Sequence, residues 1–304
     1  MTKNFIQVIT TESHPIYDAR GFDLFITINE INIRIDPSKK FYDCCQNKEK
    51  EFARQKKYWK DTKMLIITHF HNDHSSGLDL LEWITLEELR DFHAFFPSSN
   101  LTNNFNEKSK ERLELLTEKA ASINSIGNYY YTKIKDIEIE LREFRHSCYK
   151  GFDLGNILMC YFNDLNTNND IIVSSDVAGP EYRDAAKWII NKDPKLLILD
   201  GPYFGIVNVL TRNKNIRYKA VRSLEKAFEN LLMILGQTHR LEKILLCHHF
   251  ARNGKDVLEM YNRYEDKFKL KKNEINKLYD EVFNKADDYG INLLTPMTDF
   301  IRLK

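Results

Sequence analysis

The chain has 304 residues, enough for one large domain or two smaller ones. Its 45 basic and 44 acidic residues give a formal net charge of +1, which argues against global attraction to nucleic acid or to a membrane surface. The five cysteines are odd in number and lack zinc-ribbon spacing, and no apolar run reaches transmembrane length. We therefore expect a cytoplasmic protein with reduced thiols, no signal peptide and no membrane partner.

Short apolar runs bounded by polar turns predict strands, and longer charged segments predict helices. The predicted strands are residues 5–10, 22–28, 31–36, 64–68, 137–146 and 154–163, and the runs IIVSS, LLIL and ILLC at 171–175, 196–199 and 244–247. The predicted helices lie within 38–63 and at 78–83, 86–96, 108–121, 180–191, 216–235 and 257–287. We expect a single domain over 1–304, with a helical insertion at about 79–128 and a helical C-terminal part at about 253–290.

The segment at 64–78, MLIITHFHNDHSSGL, concentrates potential metal ligands directly after an apolar strand. A single histidine is usually solvated or hydrogen-bonded, but burying a cluster of them unpaired would cost several kcal/mol, so the cluster has no packing rationale. Alternation along an extended loop would direct His69 and His71 one way and Asp73 with His74 another, which suits two adjacent metal ions. Imidazole nitrogen with carboxylate oxygen predicts zinc, with manganese or iron as alternatives. The four candidate ligands are His69, His71, Asp73 and His74.

Other candidate ligands stand at the ends of later strands. His146 ends an alternating strand, Asp176 follows IIVSS, and the pair His248 and His249 follows ILLC. A dinuclear site needs an oxygen donor between its ions, and an aspartate emerging alone from a strand, as Asp176 does, suits that role. Together with the first cluster, these residues supply enough ligands for two metal ions.

Two further aspartates, Asp36 and Asp200, also end predicted strands. Asp36 precedes a proline, so it can be read as a turn residue. It can equally be read as a carboxylate that orients a metal-ligating side chain by a hydrogen bond, without binding the metal itself. We expect Asp200, which follows LLIL, to act in the same indirect way.

The order of these residues resembles the metallo-β-lactamase superfamily, whose second motif is His-x-His-x-Asp-His. The segments SSDVAGP, LILDGPYF and CHHFARN are similar to those of an uncharacterised, mainly archaeal branch of that superfamily. The resemblance implies a four-layer αββα sandwich, an α/β fold of two mixed sheets flanked by helices. In chain order the matched positions are Asp36, the motif at 69–74, His146, Asp176 and the pair His248/His249.

The resemblance also implies how the ligands are shared between two metal ions. His69, His71 and His146 would hold one ion. Asp73, His74 and one of the final pair would hold the other, with Asp176 between the two ions. Asp73 would also orient the nucleophile or accept its proton.

The last motif departs from the family pattern because it offers two adjacent histidines. We favour His248 as the ligand because it directly follows the strand, and we expect His249 either to contact the substrate or to support the site without binding the metal. Arg252 lies close enough in sequence to reach a substrate oxyanion, although a surface salt bridge is the commoner role for such an arginine.

The leading hypothesis for function is a metal-dependent hydrolase that uses a metal-bridging hydroxide. Basic stretches at 39–63 and 212–226 favour a phosphodiesterase or nuclease over an ester, lactone or thioester hydrolase, although they are also typical of solvated helix faces. The expected partner is a small-molecule, nucleotide or nucleic-acid substrate, and a homo-oligomer is left open.

Two alternatives use the same ligands differently. One is an iron-dependent oxidoreductase, although no flavodoxin-like or rubredoxin-like module is attached to deliver electrons. The other is a non-catalytic binding protein whose metals are fully coordinated, because catalysis needs an open coordination position.

Overall fold

The computed structural model describes residues 7–10, 22–39, 47–89, 91–101, 106–146, 155–202, 214–246 and 272–294. Within these residues the strands form two mixed sheets, of six and seven strands, flanked by helices. Its contacts divide the chain into two units. Unit 1 takes in Met1–Glu143, Gly155–Asn169 and Phe300–Lys304, and unit 2 takes in Phe144–Leu154 and Asp170–Asp299. The single domain expected over 1–304 stays a prediction.

The six-stranded sheet lies in unit 1, and its strands follow one another in chain order. The first three strands are antiparallel, and β3 to β6 are parallel. Asn29 and Glu30 form the turn between β2 and β3 with φ of +45° and +68°, the left-handed pair that a two-residue hairpin turn favours. The strands are β1 (Gln7–Thr10), β2 (Leu24–Ile28), β3 (Ile31–Ile35), β4 (Met64–Ile66), β5 (His93–Pro97) and β6 (Ser122–Ile126).

Three helices of unit 1 are described, and asparagine side chains cap two of them. Helix α1 (Lys48–Asp61) begins where Asn47 accepts a hydrogen bond from the Lys50 amide. Helix α2 is the single turn Asn72–Ser75, and the 3-10 turn Ser76–Trp83 continues it. Helix α3 (Glu107–Lys119) begins at Asn106, which accepts from the Ser109 amide.

The structure corrects the sequence prediction between residues 86 and 126. The helix expected at 86–96 is wrong in its second half, because only Leu86–Glu88 forms a 3-10 turn and β5 begins at His93. Phe95 and Phe96 are buried in that strand, and its parallel pairing with both neighbouring strands outweighs the local helical pattern. Strand β6 and the strand at Tyr129–Ile134 were not expected either.

Unit 1 also holds three strands of the seven-stranded sheet. In unit 1 its strands are ordered β9-β8-β7, with β7 (Tyr129–Ile134) antiparallel to β8 (Ile137–Arg145), and β9 covers Asn156–Asp164. Phe95 of the first sheet packs against Tyr130 of β7, with ring centroids 5.3 Å apart. The two sheets therefore contact each other within unit 1.

Unit 2 alternates strands and helices. Its strands are parallel and ordered β13-β12-β11-β10, and one described helix follows each of the first three strands along the chain. Such crossovers are the usual connections between parallel strands. The elements are β10 (Asn169–Val173), α4 (Arg183–Lys192), β11 (Leu196–Leu199), α5 (Lys214–Gln237), β12 (Lys243–Leu246), α6 (Lys272–Asp288) and β13 (Asn292–Leu294). No helix in the described part of the chain is both long and apolar enough to cross a membrane.

Candidate metal centre

The carboxyl ends of β3 and β4 bring Asp36 to the start of the histidine motif. The two strands are parallel with Ile35 opposite Ile66, so the residues that follow them meet at one edge of the sheet. Asp36 is fully buried and accepts hydrogen bonds from the Thr68 amide at 2.6 Å and from the Thr68 hydroxyl. This aspartate therefore fixes the residue that directly precedes His69.

Asp36 also holds His74. Its Oδ2 lies 2.9 Å from His74 Nδ1, in a pair with no solvent exposure. Burial raises the pKa of Asp36 above 3.8, and the charge and hydrogen bond of His74 oppose that rise, as do the hydrogen bonds of Thr68. When the carboxylate is ionised, Nδ1 of His74 must be the donor. In the neutral imidazole Nε2 is then unprotonated, so it is the nitrogen that can bind a metal.

His69 lies between the other two histidines of the motif. Its ring centroid is 4.1 Å from that of His74 and 4.6 Å from that of His71. One ligand atom each from Asp36, His69 and His74 lie within 4.8 Å of one another, and all three residues are buried. Both oxygens of Asp36 already accept hydrogen bonds, so we interpret it as a residue that orients ligands and the histidines as the metal-binding groups.

The local path of the motif differs from the expected alternation. His71 occupies the N-cap position of α2, so Asp73 and His74 follow in a helical turn and not in an extended loop. The backbone carbonyl of Asp73 accepts from the Phe22 amide at 2.9 Å, and the Phe22 ring stacks on His74 at 5.6 Å. The half-buried Asp73 side chain is not part of the cluster of Asp36, His69 and His74.

Unit 2 carries a pair of candidate ligands of its own. Nε2 of His146 lies 3.7 Å from Oδ2 of Asp176, and both residues are buried. Asp176 sits on the loop after β10, and Asp200 lies against that loop. The carboxylate of Asp200 accepts from the amide of Ala178 at 2.6 Å and of Gly179 at 3.2 Å. Asp200 thus contacts the loop that carries Asp176.

Left-handed backbone accompanies both sets of residues. Asp36, Ser175 and Ala178 have φ of +52°, +53° and +52°, a region that non-glycine residues seldom occupy. Gly179, at φ +98°, also packs closely, because a Cβ added there would lie 2.8 Å from the Pro202 nitrogen. Strained backbone of this kind collects at functional sites.

Two positioning contacts were missed from the sequence. Thr68 ends the strand predicted at 64–68, and its hydroxyl donates to Asp36 and lies 3.1 Å from Nδ1 of His69. Gly77 donates its amide to the Pro37 carbonyl at 2.7 Å. A buried threonine hydroxyl needs a hydrogen-bond partner, so the position of Thr68 at the end of a buried strand could have predicted a polar contact there.

The predicted residues His248, His249 and Arg252 lie outside the described residues, so their roles stay predictions. For the others, the donor set of each unit suits a metal ion. Buried imidazoles beside a carboxylate are ligands that zinc, iron and manganese share; unit 1 supplies them at Asp36, His69 and His74, and unit 2 supplies one buried imidazole and one carboxylate.

Comparisons with known proteins show which chains this one resembles. No protein-family model matches the chain. A UPF0282 protein of Korarchaeum cryptofilum is 23% identical over 248 residues, covering 77% of this chain and 76% of its own length. A UPF0282 protein of Pyrococcus horikoshii is 26% identical over 253 residues, covering 77% of each chain.

Similar solved structures share the fold at low sequence identity. The metallo-β-lactamase fold protein YhfI of Bacillus subtilis has a TM-score of 0.51 and 11% identity, covering 91% of this chain and 89% of its own. Yeast PDE1 has a TM-score of 0.51 and 10% identity, with 91% and 93% covered. The diiron β-hydroxylase CmlA of Streptomyces venezuelae has a TM-score of 0.51 and 12% identity, and the match covers 94% of this chain but 52% of CmlA. The chain therefore has the predicted metallo-β-lactamase fold and is similar to archaeal UPF0282 proteins.

Proposed function

We propose that this protein is a metal-dependent hydrolase that cleaves phosphodiester bonds. The observation that carries the proposal is the buried cluster of His69 and His74 beside Asp36, at the carboxyl edge of parallel strands. Ligands of α/β proteins bind at that edge. Metallo-β-lactamase-fold neighbours and this cluster support a hydrolase-type function that depends on a metal.

The ligand assignment follows the family pairing. His69, His71 and His146 would hold one ion, and Asp176 would lie between it and a second ion. Asp73, His74 and His248 would hold that second ion, and zinc is the metal that this nitrogen-rich set favours. When bound, the metals would lower the pKa of a water molecule and polarise the scissile group of the substrate.

The chain's own residues would prepare and complete the site. Asp36 accepts a hydrogen bond from Nδ1 of His74 and so leaves Nε2 of His74 available to a metal. Asp200 holds the loop that carries Asp176. Asp73, which is half-buried, can accept the proton of the attacking water. His249 and Arg252 would bind the substrate's oxygen atoms.

The charge of α1 supports an anionic substrate. Lys50 and Lys57 are exposed on this helix, whereas Lys56 is paired with Glu88 at the neighbouring 3-10 turn. Surplus lysines on a helix face attract phosphate-bearing molecules over distances of about 10 Å at 0.1 M salt. We therefore rank phosphodiesters above neutral esters, lactones and thioesters.

The first test is metal analysis of protein purified without added metal, combined with turnover of bis-p-nitrophenyl phosphate and of p-nitrophenyl acetate. We expect close to two equivalents of metal and cleavage of the phosphodiester. His71→Ala and Asp176→Ala should abolish turnover. Full turnover in both variants, or a wild-type protein without metal, would refute the proposal.

His93→Ala is the matched control for these substitutions. His93 is an exposed histidine of the same unit, on β5, and its Nδ1 lies 2.7 Å from the Ser122 hydroxyl. It is not among the candidate ligands, so this variant should keep both metal content and turnover. Cleavage of the acetate alone would move the assignment to ester hydrolysis.

A second candidate is an iron-dependent oxidoreductase. One structural neighbour, CmlA, is a diiron β-hydroxylase, and imidazole with carboxylate is also a ligand set for iron, which supports this candidate. Iron in the metal analysis, visible absorbance and no cleavage of either substrate would favour it over the hydrolase.

A further inference from the structure

Helix α3 turns a polar face toward the histidine motif. Ser109 and Arg112, one helical turn apart, are both almost fully buried. The Ser109 hydroxyl lies 3.4 Å from the carbonyl of Phe70, which stands between His69 and His71. A helix that served only to fill the core would place apolar residues at these positions.

Arg112 contacts residues of the motif that lie next to the candidate metal ligands. Its guanidinium donates to Asn72 Oδ1 at 2.7 Å and to Ser75 Oγ at 3.1 Å. These two residues flank Asp73 and His74 in α2. The Ser75 hydroxyl in turn donates to the carbonyls of Phe70 and His71, at 3.2 Å and 3.0 Å.

Asp79 completes the arrangement. Both of its oxygens accept from Arg112, at 2.7 Å from Nε and 3.2 Å from a terminal nitrogen. Asp79 also pairs with Lys39 at 2.8 Å, in the segment that follows Asp36. The ion pair thereby joins α3, the 3-10 turn after the motif and the segment after Asp36.

We propose that Arg112 is a positioning residue that, held by Asp79, fixes the metal-binding turn at 69–75. A buried ion pair gives little net stability compared with well-packed apolar side chains, so packing does not account for it. A guanidinium offers donors in a rigid plane, and Arg112 uses them toward three residues at once. A lysine ammonium at this place keeps the charge but cannot reproduce that geometry.

The proposal rests on the metal site of the proposed function, so the test measures metal binding and not turnover. Zinc affinity of Arg112→Lys is measured by competition with a chromophoric chelator, and the visible spectrum of the Co²⁺-loaded protein reports ligand geometry. We expect affinity to fall about 10- to 100-fold, as it does when residues behind metal ligands are replaced, with a changed Co²⁺ spectrum.

Leu116→Ala is the matched control for lost stability. Leu116 lies one turn beyond Arg112 on the same helix and is fully buried in the apolar core cluster that also holds Phe70. Its side chain, unlike that of Arg112, cannot hydrogen-bond to the turn at 69–75. Its truncation should lower the melting temperature at least as much as Arg112→Lys while preserving the zinc affinity. Wild-type affinity in Arg112→Lys, or an equal loss of affinity in Leu116→Ala, would overturn the proposal.

Asp79→Asn provides a second variant if Arg112→Lys does not fold. It removes the charge that holds the guanidinium and leaves Arg112 in place, so zinc affinity should fall in the same direction. An unchanged affinity in Asp79→Asn would also count against the proposal. If the wild type binds zinc but cleaves no phosphodiester, only the proposed function fails; if the wild type binds no metal, both fail.

Discussion

Replacing Gly77 by alanine should disturb the metal centre without touching a candidate ligand. A Cβ at this position would lie 2.6 Å from the carbonyl oxygen of Pro37 and 2.9 Å from its Cβ. The φ of Gly77 is not in the left-handed region, so the substitution is opposed by space alone. Because the nearest atom belongs to the backbone, it cannot rotate away as a flexible side chain would.

The expected displacement follows from these contacts. Contacts of 3.0 to 3.4 Å are the tightest that real Cβ atoms tolerate, so Pro37 must move by about 0.4 to 0.8 Å. Pro37 is bonded to Asp36, whose Oδ2 lies 2.9 Å from His74 Nδ1, and a shift of that size stretches this hydrogen bond toward its limit. Overpacking should cost about 1–3 kcal/mol of unfolding free energy. Weakened support for His74 should lower zinc affinity about 10- to 100-fold.

Urea unfolding of the metal-free protein, with chelator competition for zinc, measures both effects. The control is Gly127→Ala, because a Cβ at Gly127 has nothing within 4 Å. That variant should keep zinc affinity and gain up to about 1 kcal/mol through a less flexible unfolded chain. If Gly77→Ala matched Gly127→Ala in both measurements, the close contact with Pro37 would have no bearing on the metal centre.

Three further predictions concern acid stability, a backbone contact and the metal itself. Burial alone would raise the pKa of Asp79, but hydrogen bonds and charges from Arg112 and Lys39 outweigh it and hold that pKa below 3.8. The stability that this ionised carboxylate contributes is complete above pH 3.8 and is lost as the pH falls through the lowered pKa. Asp79→Asn should therefore make the free energy of unfolding fall less steeply at acid pH than in the wild type, and an unchanged slope would contradict this. Gly179→Ala combines φ +98° with a Cβ 2.8 Å from the Pro202 nitrogen, and it should lower stability by about 1–3 kcal/mol in thermal unfolding, whereas a neutral effect would mean that the loop yields easily. Removing metal with EDTA should lower the melting temperature by about 5 °C or more relative to protein at 100-fold zinc excess over its dissociation constant; identical melting curves would argue against a bound metal.

The sequence predicted the strands that carry the site because their apolar runs end in polar residues with metal-binding chemistry. Asp36 and His69 illustrate this, since a parallel pair of strands must bring both residues to one edge. The α/β class with two mixed sheets was implied by the resemblance that the motif order carries, and it is confirmed. The assignment of individual ligands to two metals stays a prediction.

Features that depend on packing between distant segments were missed. The segment at 93–97 carries a strand in a region whose local pattern favoured a helix, because the two neighbouring strands decide its conformation. Arg112 looked like any charged residue of an amphipathic helix, and only its contacts with Asn72 and Ser75 distinguish it. The helical turn of α2 likewise replaced an alternating loop, since His71 ends the extended segment.

The left-handed residues near the candidate ligands have a consequence for engineering. Ala178 would adopt its φ of +52° more readily as glycine, and a selection for heat resistance alone should favour that replacement. If the fixed path of the 174–180 loop serves Asp176, such variants will gain stability and lose catalytic rate together. In libraries of this chain selected for heat resistance, the positions at which stability rises while catalytic rate falls would then identify the loop residues that serve the site.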